Sequence, residues 1–158
     1  MEKIQEQVEV KLEQDAAALE ALNLRLSWVG RRWLQHDLDA HHLTVPQYMT
    51  LRCIQDSTEG CSMSELAESS HQVSATMTGI VDRLADRGLV ARTPHPRDRR
   101  TLRVVLTPAG QQLMAEIHAA KRTLTRQVLS SLLVEERQAM IQTTRRYLEM
   151  MESILCSP

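Results

Sequence analysis

Apolar residues recur in steps of three and four from Ile4 through Val8, Leu12, Ala16, Leu19, Leu22, Leu26 and Val29 to Trp33. That spacing lines one face of an α-helix. It predicts an amphipathic helix over residues 4–34, on the order of 45 Å long at ~1.5 Å per residue. A small globule cannot cover such a helix alone, so a second copy of the chain is implied. The pattern lapses between His36 and Leu43 and resumes after Thr44-Val45-Pro46-Gln47. There Thr44 and Gln47 can satisfy each other's backbone as a capping box. Val45, Tyr48, Met49, Leu51, Arg52 and Ile54 follow on one helix to about Ser57. Ser62-Met63-Ser64-Glu65 is a second capping box, opening a short helix with Leu66 and Ala67 inward. After a break at Ser69–Gln72, Met77, Ile80, Val81 and Leu84 return to helical spacing, and Gly88 supplies the stop.

The period then changes. Two β-prone runs, Leu89–Thr93 and Thr101–Leu106, flank Pro94-His95-Pro96-Arg97-Asp98-Arg99-Arg100, a stretch whose prolines forbid helix. It reads as a β-hairpin with a long basic tip. Thr107-Pro108 is a helix start, an N-cap followed by proline at the first position. Leu113, Ile117, Ala120, Leu124, Val128 and Leu132 mark about six turns. A last helix from about Glu135 carries Met140, Tyr147, Leu148, Met151, Ile154 and Leu155.

Two short helices joined by a tight turn, the second with small polar residues on its free face, form a helix-turn-helix. That face is Ser74, Ala75, Thr76 and Thr78, slim enough to approach base edges or phosphates closely. A basic hairpin directly after it is a wing. The expected fold is therefore mainly α with a small β-hairpin wing, a winged helix-turn-helix with long N- and C-terminal dimerisation helices. It divides into an N-terminal dimerisation helix (1–43), a DNA-binding lobe (44–107) and C-terminal dimerisation helices (108–158), forming one intertwined domain.

Charge sharpens this picture. The chain is nearly neutral, at −1 over 158 residues. Yet between His71 and Arg103 seven arginines (Arg83, Arg87, Arg92, Arg97, Arg99, Arg100, Arg103) face three aspartates. A basic face on an otherwise acidic body is the footprint of a DNA-binding surface. With no Phe and 3% aromatics, the core must be aliphatic and methionine-rich. No run of eighteen apolar residues occurs and the start is polar, so neither membrane span nor secretory signal is expected and a cytoplasmic protein is the default. Cys53, Cys61 and Cys156 form neither a disulfide framework nor a zinc set. His41, His42 and His95 lack partners at metal-ligand spacing, so no metal and no cofactor are expected. There is no phosphate loop, nucleophile elbow or catalytic cluster, which argues against an enzyme.

On Leu43-Thr44-Val45-Pro46-Gln47-Tyr48, Ser64-Glu65-Leu66-Ala67, Met77–Leu84 leading to Arg87-Gly88-Leu89-Val90, and above all Asp98-Arg99-Arg100 with Val105–Gly110, the chain resembles the MarR family of transcriptional regulators over nearly its whole length. The resemblance implies a homodimer, triangular in outline, built on its first, fifth and sixth helices and bound to a pseudo-palindromic double-stranded DNA operator, most simply as a repressor. The helix at about 73–87 would lie in the major groove and the wing tip in the adjacent minor groove. Arg100 would be the minor-groove finger. Asp98, two residues away on the same side of an extended strand, would orient it. Arg83, Arg97, Arg99 and Arg103 are further candidates. The turn itself reads Ser70-His71-Gln72, where the family often has an apolar residue and then glycine.

The resemblance also implies a small aromatic or anionic effector, held near Trp28, Arg32, His36, Tyr48 and Arg52, where a cation beside aromatic rings could bind it. Two other readings are open. One is a winged-helix module that docks a protein instead of DNA. The other is a thiol-based redox regulator, although no cysteine stands early in the first helix, where the peroxide-sensing branch carries its own.

Overall fold

A computed structural model describes residues 2–69, 74–94 and 101–155. In chain order these form α1 (Glu2–Ala40), α2 (Val45–Asp56), α3 (Met63–Ser69), α4 (Ser74–Asp86), β1 (Val90–Pro94), β2 (Leu102–Leu106), α5 (Pro108–Ser130) and α6 (Val134–Leu155). The chain is thus mainly helical with one two-stranded antiparallel hairpin, as the sequence pattern predicts. It forms two compact units, Met1–Met114 and Ala115–Pro158.

The first helix is longer than its apolar rhythm suggests. It does not break at His36 but runs to Ala40. Residues 35–40 contain neither proline nor glycine, Leu34 and Leu38 sustain the four-residue step, and the Gln35 amide donates to Asp39 at 2.7 Å across one turn. The polar run is a solvated helix face. What ends the helix is a Schellman turn: the N–H of His42 donates to Asp39 and that of Leu43 to Leu38, while His42 takes φ +53°. Leu38 and Leu43, the apolar pair of that motif, are both buried.

The same device ends α4. Gly88 has φ +69°, its N–H donates to Ala85, and Leu89 donates to Leu84. At the other ends, both capping boxes form as expected. The Thr44 N–H donates to Gln47 Oε1 at 2.9 Å, and the Gln47 N–H returns to Thr44 Oγ1 at 3.4 Å. The Ser62 N–H donates to Glu65 Oε2 at 2.7 Å, and the Glu65 N–H to Ser62 Oγ at 3.2 Å. Thr107 caps α5 through Gly110 at 3.1 Å, and Glu136 closes α6 by accepting from the Leu133 N–H at 2.8 Å.

Most of the core lies in the first unit. Leu38, Leu51, Leu66, Met77, Val81, Leu84, Val104 and Met114 are all essentially sealed from solvent. Tyr48 is buried among them at 3% exposure, so the core is aliphatic with one tyrosine. Deleting any one of the larger side chains would cost about 2–5 kcal/mol, because the short helices around it cannot collapse into the gap. By contrast every residue of α1 from Gln5 to Arg32 is exposed, and α6 buries none of its own.

The first strand is displaced by one residue from the expected run, beginning at Val90 and including Pro94, and the second is one residue shorter, beginning at Leu102 and ending at Leu106 as expected. Pro94 is tolerated because it pairs opposite Leu102 at the end of an edge strand, where no neighbour waits for its missing N–H.

The turn at His42 yields a stability prediction. An L-residue in the left-handed region costs roughly 1–2 kcal/mol, which glycine avoids at some cost in chain entropy. His42→Gly should therefore raise the unfolding free energy by about 1 kcal/mol in urea titrations. An unchanged or lowered midpoint would show that the histidine ring itself stabilises the turn.

Candidate nucleic-acid interface

Helix α4 is one-sided. Met77, Ile80, Val81 and Leu84 are buried, whereas Ala75, Thr76, Thr78, Asp82, Arg83 and Asp86 are exposed. Its free crest therefore runs through Ala75 and Gly79, with almost no side-chain bulk. A Cβ built at Gly79 would meet only the Arg83 guanidinium, at 3.6 Å. Along this line only the flexible Arg83 side chain, folded back over Gly79, stands over the backbone of α4. Of the residues singled out on this face, Ala75, Thr76 and Thr78 stand on exposed helix, and Ser74 is its first residue.

The hairpin beside it is fixed by four contacts. Cys61 and Val104 exchange backbone hydrogen bonds of 3.0 and 2.8 Å, adding a one-residue third strand. Gly60, at φ +75°, permits this approach, since a Cβ there would lie 2.6 Å from the Val104 carbonyl oxygen. Arg103 donates through Nη1 to the Gly60 carbonyl at 3.2 Å and to Glu65 Oε2. Finally, Arg92 Nη2 reaches Asp82 Oδ1 at 2.7 Å, tying β1 to the exposed flank of α4.

Arg103 is therefore occupied inside the fold, with only 19% of its side chain exposed. Glu65 has two tasks, capping α3 and receiving Arg103. The Ser62 N–H and hydroxyl, together with the Arg103 guanidinium, hold its carboxyl below the usual carboxylate range. Arg83 folds back along its own helix, Nε donating to the Gly79 carbonyl at 2.9 Å. Arg97, Asp98, Arg99 and Arg100 lie outside the described residues, as does the Ser70-His71-Gln72 turn.

The residues suggested for an effector separate into two groups. Trp28, Arg32 and His36 stand one turn apart on α1 and line an open groove of about 420 Å³ with Arg31, Gln35 and Asp39. The Arg32 guanidinium lies 5.5 Å from the centre of the Trp28 ring. Tyr48 and Arg52 are not among the residues lining this groove: Tyr48 belongs to the core, and Arg52 faces Asp56 at 3.9 Å on the surface of α2.

Among the cysteines, Cys61 is buried, and its thiol donates to the Cys53 carbonyl at 3.5 Å. Burial, reinforced by the neighbouring Cys53, pushes it up to about 11, so at neutral pH it is the unreactive thiol. Cys53 Sγ lies 3.0 Å from Ser69 Oγ, and Cys156 is outside the described residues.

Comparison with known proteins agrees with this geometry. A model of the MarR family matches residues 43–102, the segment from the end of the α1 turn to the start of β2. The transcriptional regulator HosA of Escherichia coli O111:H- is 33% identical over 115 residues, 73% of this chain and 82% of that protein. The structure of a MarR family protein from Bacillus stearothermophilus superposes with a TM-score of 0.79 at 25% identity, covering 88% of this chain and 96% of that one. BpsR of Bordetella bronchiseptica, whose DNA binding is regulated by 6-hydroxynicotinic acid, gives a TM-score of 0.55 at 28% identity over 80% of this chain and 89% of its own.

The double role of Glu65 predicts a pH dependence. Its folded value lies below the ordinary 4.5. The stabilisation is therefore complete above pH 4.5 and is lost as pH falls through the lower folded value. Glu65→Gln retains an amide oxygen for the Ser62 N–H but carries no charge, so its stability should fall less between pH 4.5 and more acidic solution than that of the parent chain. Equal acid limbs in thermal unfolding would count against the ion pair.

Proposed function

The chain belongs to the MarR family, and on that premise we propose that it is an operator-binding homodimeric transcriptional regulator. Each protomer would insert α4 into a major groove and its wing tip into the neighbouring minor groove. The observation that carries this reading is the slim crest of α4, flanked by a hairpin that four separate contacts (Cys61–Val104, Arg103–Gly60, Arg103–Glu65 and Arg92–Asp82) hold to the helical lobe. A small-residue helix face gives the close backbone approach that groove reading needs. An anchored hairpin fixes where its two strands stand beside that helix.

Within this reading Arg100 enters the minor groove and Asp98 orients it, with Arg97 and Arg99 on the flanking phosphates. Ser74, Ala75, Thr76 and Thr78 face the major groove, and Arg83 lies at its edge. Arg103 braces the wing and is not assigned to DNA. Residues 1–43 and 108–158 supply the dimer contacts, and residues 44–107 the DNA-binding lobe. A dimer seated across two grooves of promoter DNA excludes other proteins from that stretch, so repression is the direct consequence of binding. A small aromatic anion on Trp28 and Arg32 would be the releasing effector, by analogy with the nicotinic-acid derivative that regulates BpsR.

The test is a fluorescence-anisotropy titration on a duplex selected by the wild-type chain from a random pool. Arg100→Ala should weaken binding by about 1–3 kcal/mol and reduce the salt slope by about one counterion, with the dimer unchanged. Equal affinity would remove Arg100 from the groove. Wild-type binding that is insensitive to salt would point instead to a protein-docking module.

The dimer assignment has its own check. A chain lacking residues 1–20 should dissociate at higher concentration in sedimentation, because Val8, Leu12 and Leu19 are 63%, 66% and 41% exposed in the single chain and each fully covered side chain contributes about 1.5–3 kcal/mol. An equally tight dimer would exclude the arm from the interface.

A further inference from the structure

The two Schellman turns that end α1 and α4 are joined by one side chain. Arg87 is the C-cap residue of α4, lying between the last helical residue, Asp86, and the left-handed Gly88. Its guanidinium extends to the other turn, where Nη1 donates to the His42 carbonyl at 2.7 Å and Nη2 to the His41 carbonyl at 2.9 Å. The C-terminal end of α1 carries no basic residue in its own last turn. It gathers unsatisfied carbonyls and partial negative charge, and it also holds His42 in a left-handed conformation that L-residues adopt at a cost. Arg87 thus closes α4 with its backbone and α1 with its side chain. A planar fork meeting two adjacent carbonyls fixes direction as well as distance, which a single hydrogen bond does not.

We infer that Arg87 is a positioning residue: a rigid joint that sets the angle of α4 to α1 and thereby the spacing at which a dimer presents its two α4 helices to DNA. This rests on the operator-binding reading above. In that assembly α1 belongs to the dimer contact and α4 to the groove, so the orientation of one helix on the other is transmitted to the distance between half-sites. Dimeric helix-turn-helix proteins need that distance to match about one turn of duplex, roughly 34–36 Å. One added base pair shifts the second half-site by about 3.4 Å along the axis and rotates it about the duplex. A stiff joint rejects such a duplex, and a loosened one tolerates it. Arg87 faces carbonyls and not bases in this arrangement, so its effect falls on spacing and not on base preference.

The experiment compares the full-length wild type with Arg87→Gln and Arg87→Lys on two duplexes. One is the duplex selected by the wild type, and the other is the same duplex with one base pair inserted between its half-sites. The wild type should lose about tenfold or more on insertion. Arg87→Gln should bind the selected duplex about tenfold more weakly, having lost a charge-assisted pair of hydrogen bonds, and should distinguish the two duplexes by less than about threefold. Arg87→Lys, which can serve one carbonyl at a time, should fall between them. An insertion penalty in Arg87→Gln equal to that of the wild type would overturn the positioning role.

Hydrogen exchange on the DNA-free proteins reads the joint independently. In Arg87→Gln the amides of residues 38–44 and 84–89 should exchange faster together, while those of 45–56 stay protected. Unchanged exchange in both segments would overturn the joint itself, even with the DNA-binding reading intact. A wild type that selects no duplex would overturn the DNA-binding reading and the spacing role with it, leaving only a structural clamp.

Discussion

The pairing of Cys61 with Val104 is the constraint on which the rest of the first unit depends. Two backbone hydrogen bonds convert a free hairpin, which in water is marginal at best, into the edge of a three-stranded arrangement continuous with the helices. The pairing requires a residue without a side chain at position 60 and burial of the Cys61 thiol. It also puts β2 where Arg103 can meet Glu65. The capping box of α3, the hairpin and the flank of α4 are thereby brought into one hydrogen-bonded set. Arg92 then closes the loop from β1 to Asp82. The wing is held because several weak constraints agree about where it belongs, and no single contact would suffice.

Much of α1 and α6, by contrast, is uncovered. Leu22, Leu24, Leu26 and Trp28 of α1 are 60–74% exposed, as are Ile154 and Leu155 at up to 77% on α6. Apolar surface of that extent on successive helical turns is of the kind that a protein contact would cover. The helix propensity of α1 does not by itself account for its length, since isolated helices draw most of their stability from tertiary packing. A partner that covers these turns is consistent with the dimeric assembly proposed for the chain.

Much of this was legible in the residues. Both capping boxes, the Thr107-Pro108 start and the Gly88 stop are local chemistry, and local chemistry is written in adjacent positions. The end of α1 was not. A polar run such as Gln35-His36-Asp37 looks the same whether it is a loop or the wet side of a helix, and the left-handed residue that decides the matter is a histidine where glycine would have announced itself. The side-chain pairings were less legible still. Arg103 meets Glu65 across 38 positions, Arg92 meets Asp82 across 10, and Arg87 meets His42 across 45. No periodicity encodes such distances. They follow only once the helices have packed.

Those pairings also change what the charge of the sequence means. Seven arginines between His71 and Arg103 suggest a broad basic face, but the four on described residues each have an acceptor within the fold. Arg92 and Arg103 are matched by Asp82 and Glu65, which removes most of their field at a distance. Arg83 and Arg87 donate to neutral carbonyls, so their positive charge remains although their hydrogen bonds are spent. The usable positive potential on this side of the molecule therefore comes from Arg83 on α4, since the Arg87 guanidinium sits at the carbonyl end of α1. Charge counted along a chain overstates a binding surface wherever arginines serve as internal struts. Here the strut arginines define where the wing stands, and the arginines they leave over define what it can attract.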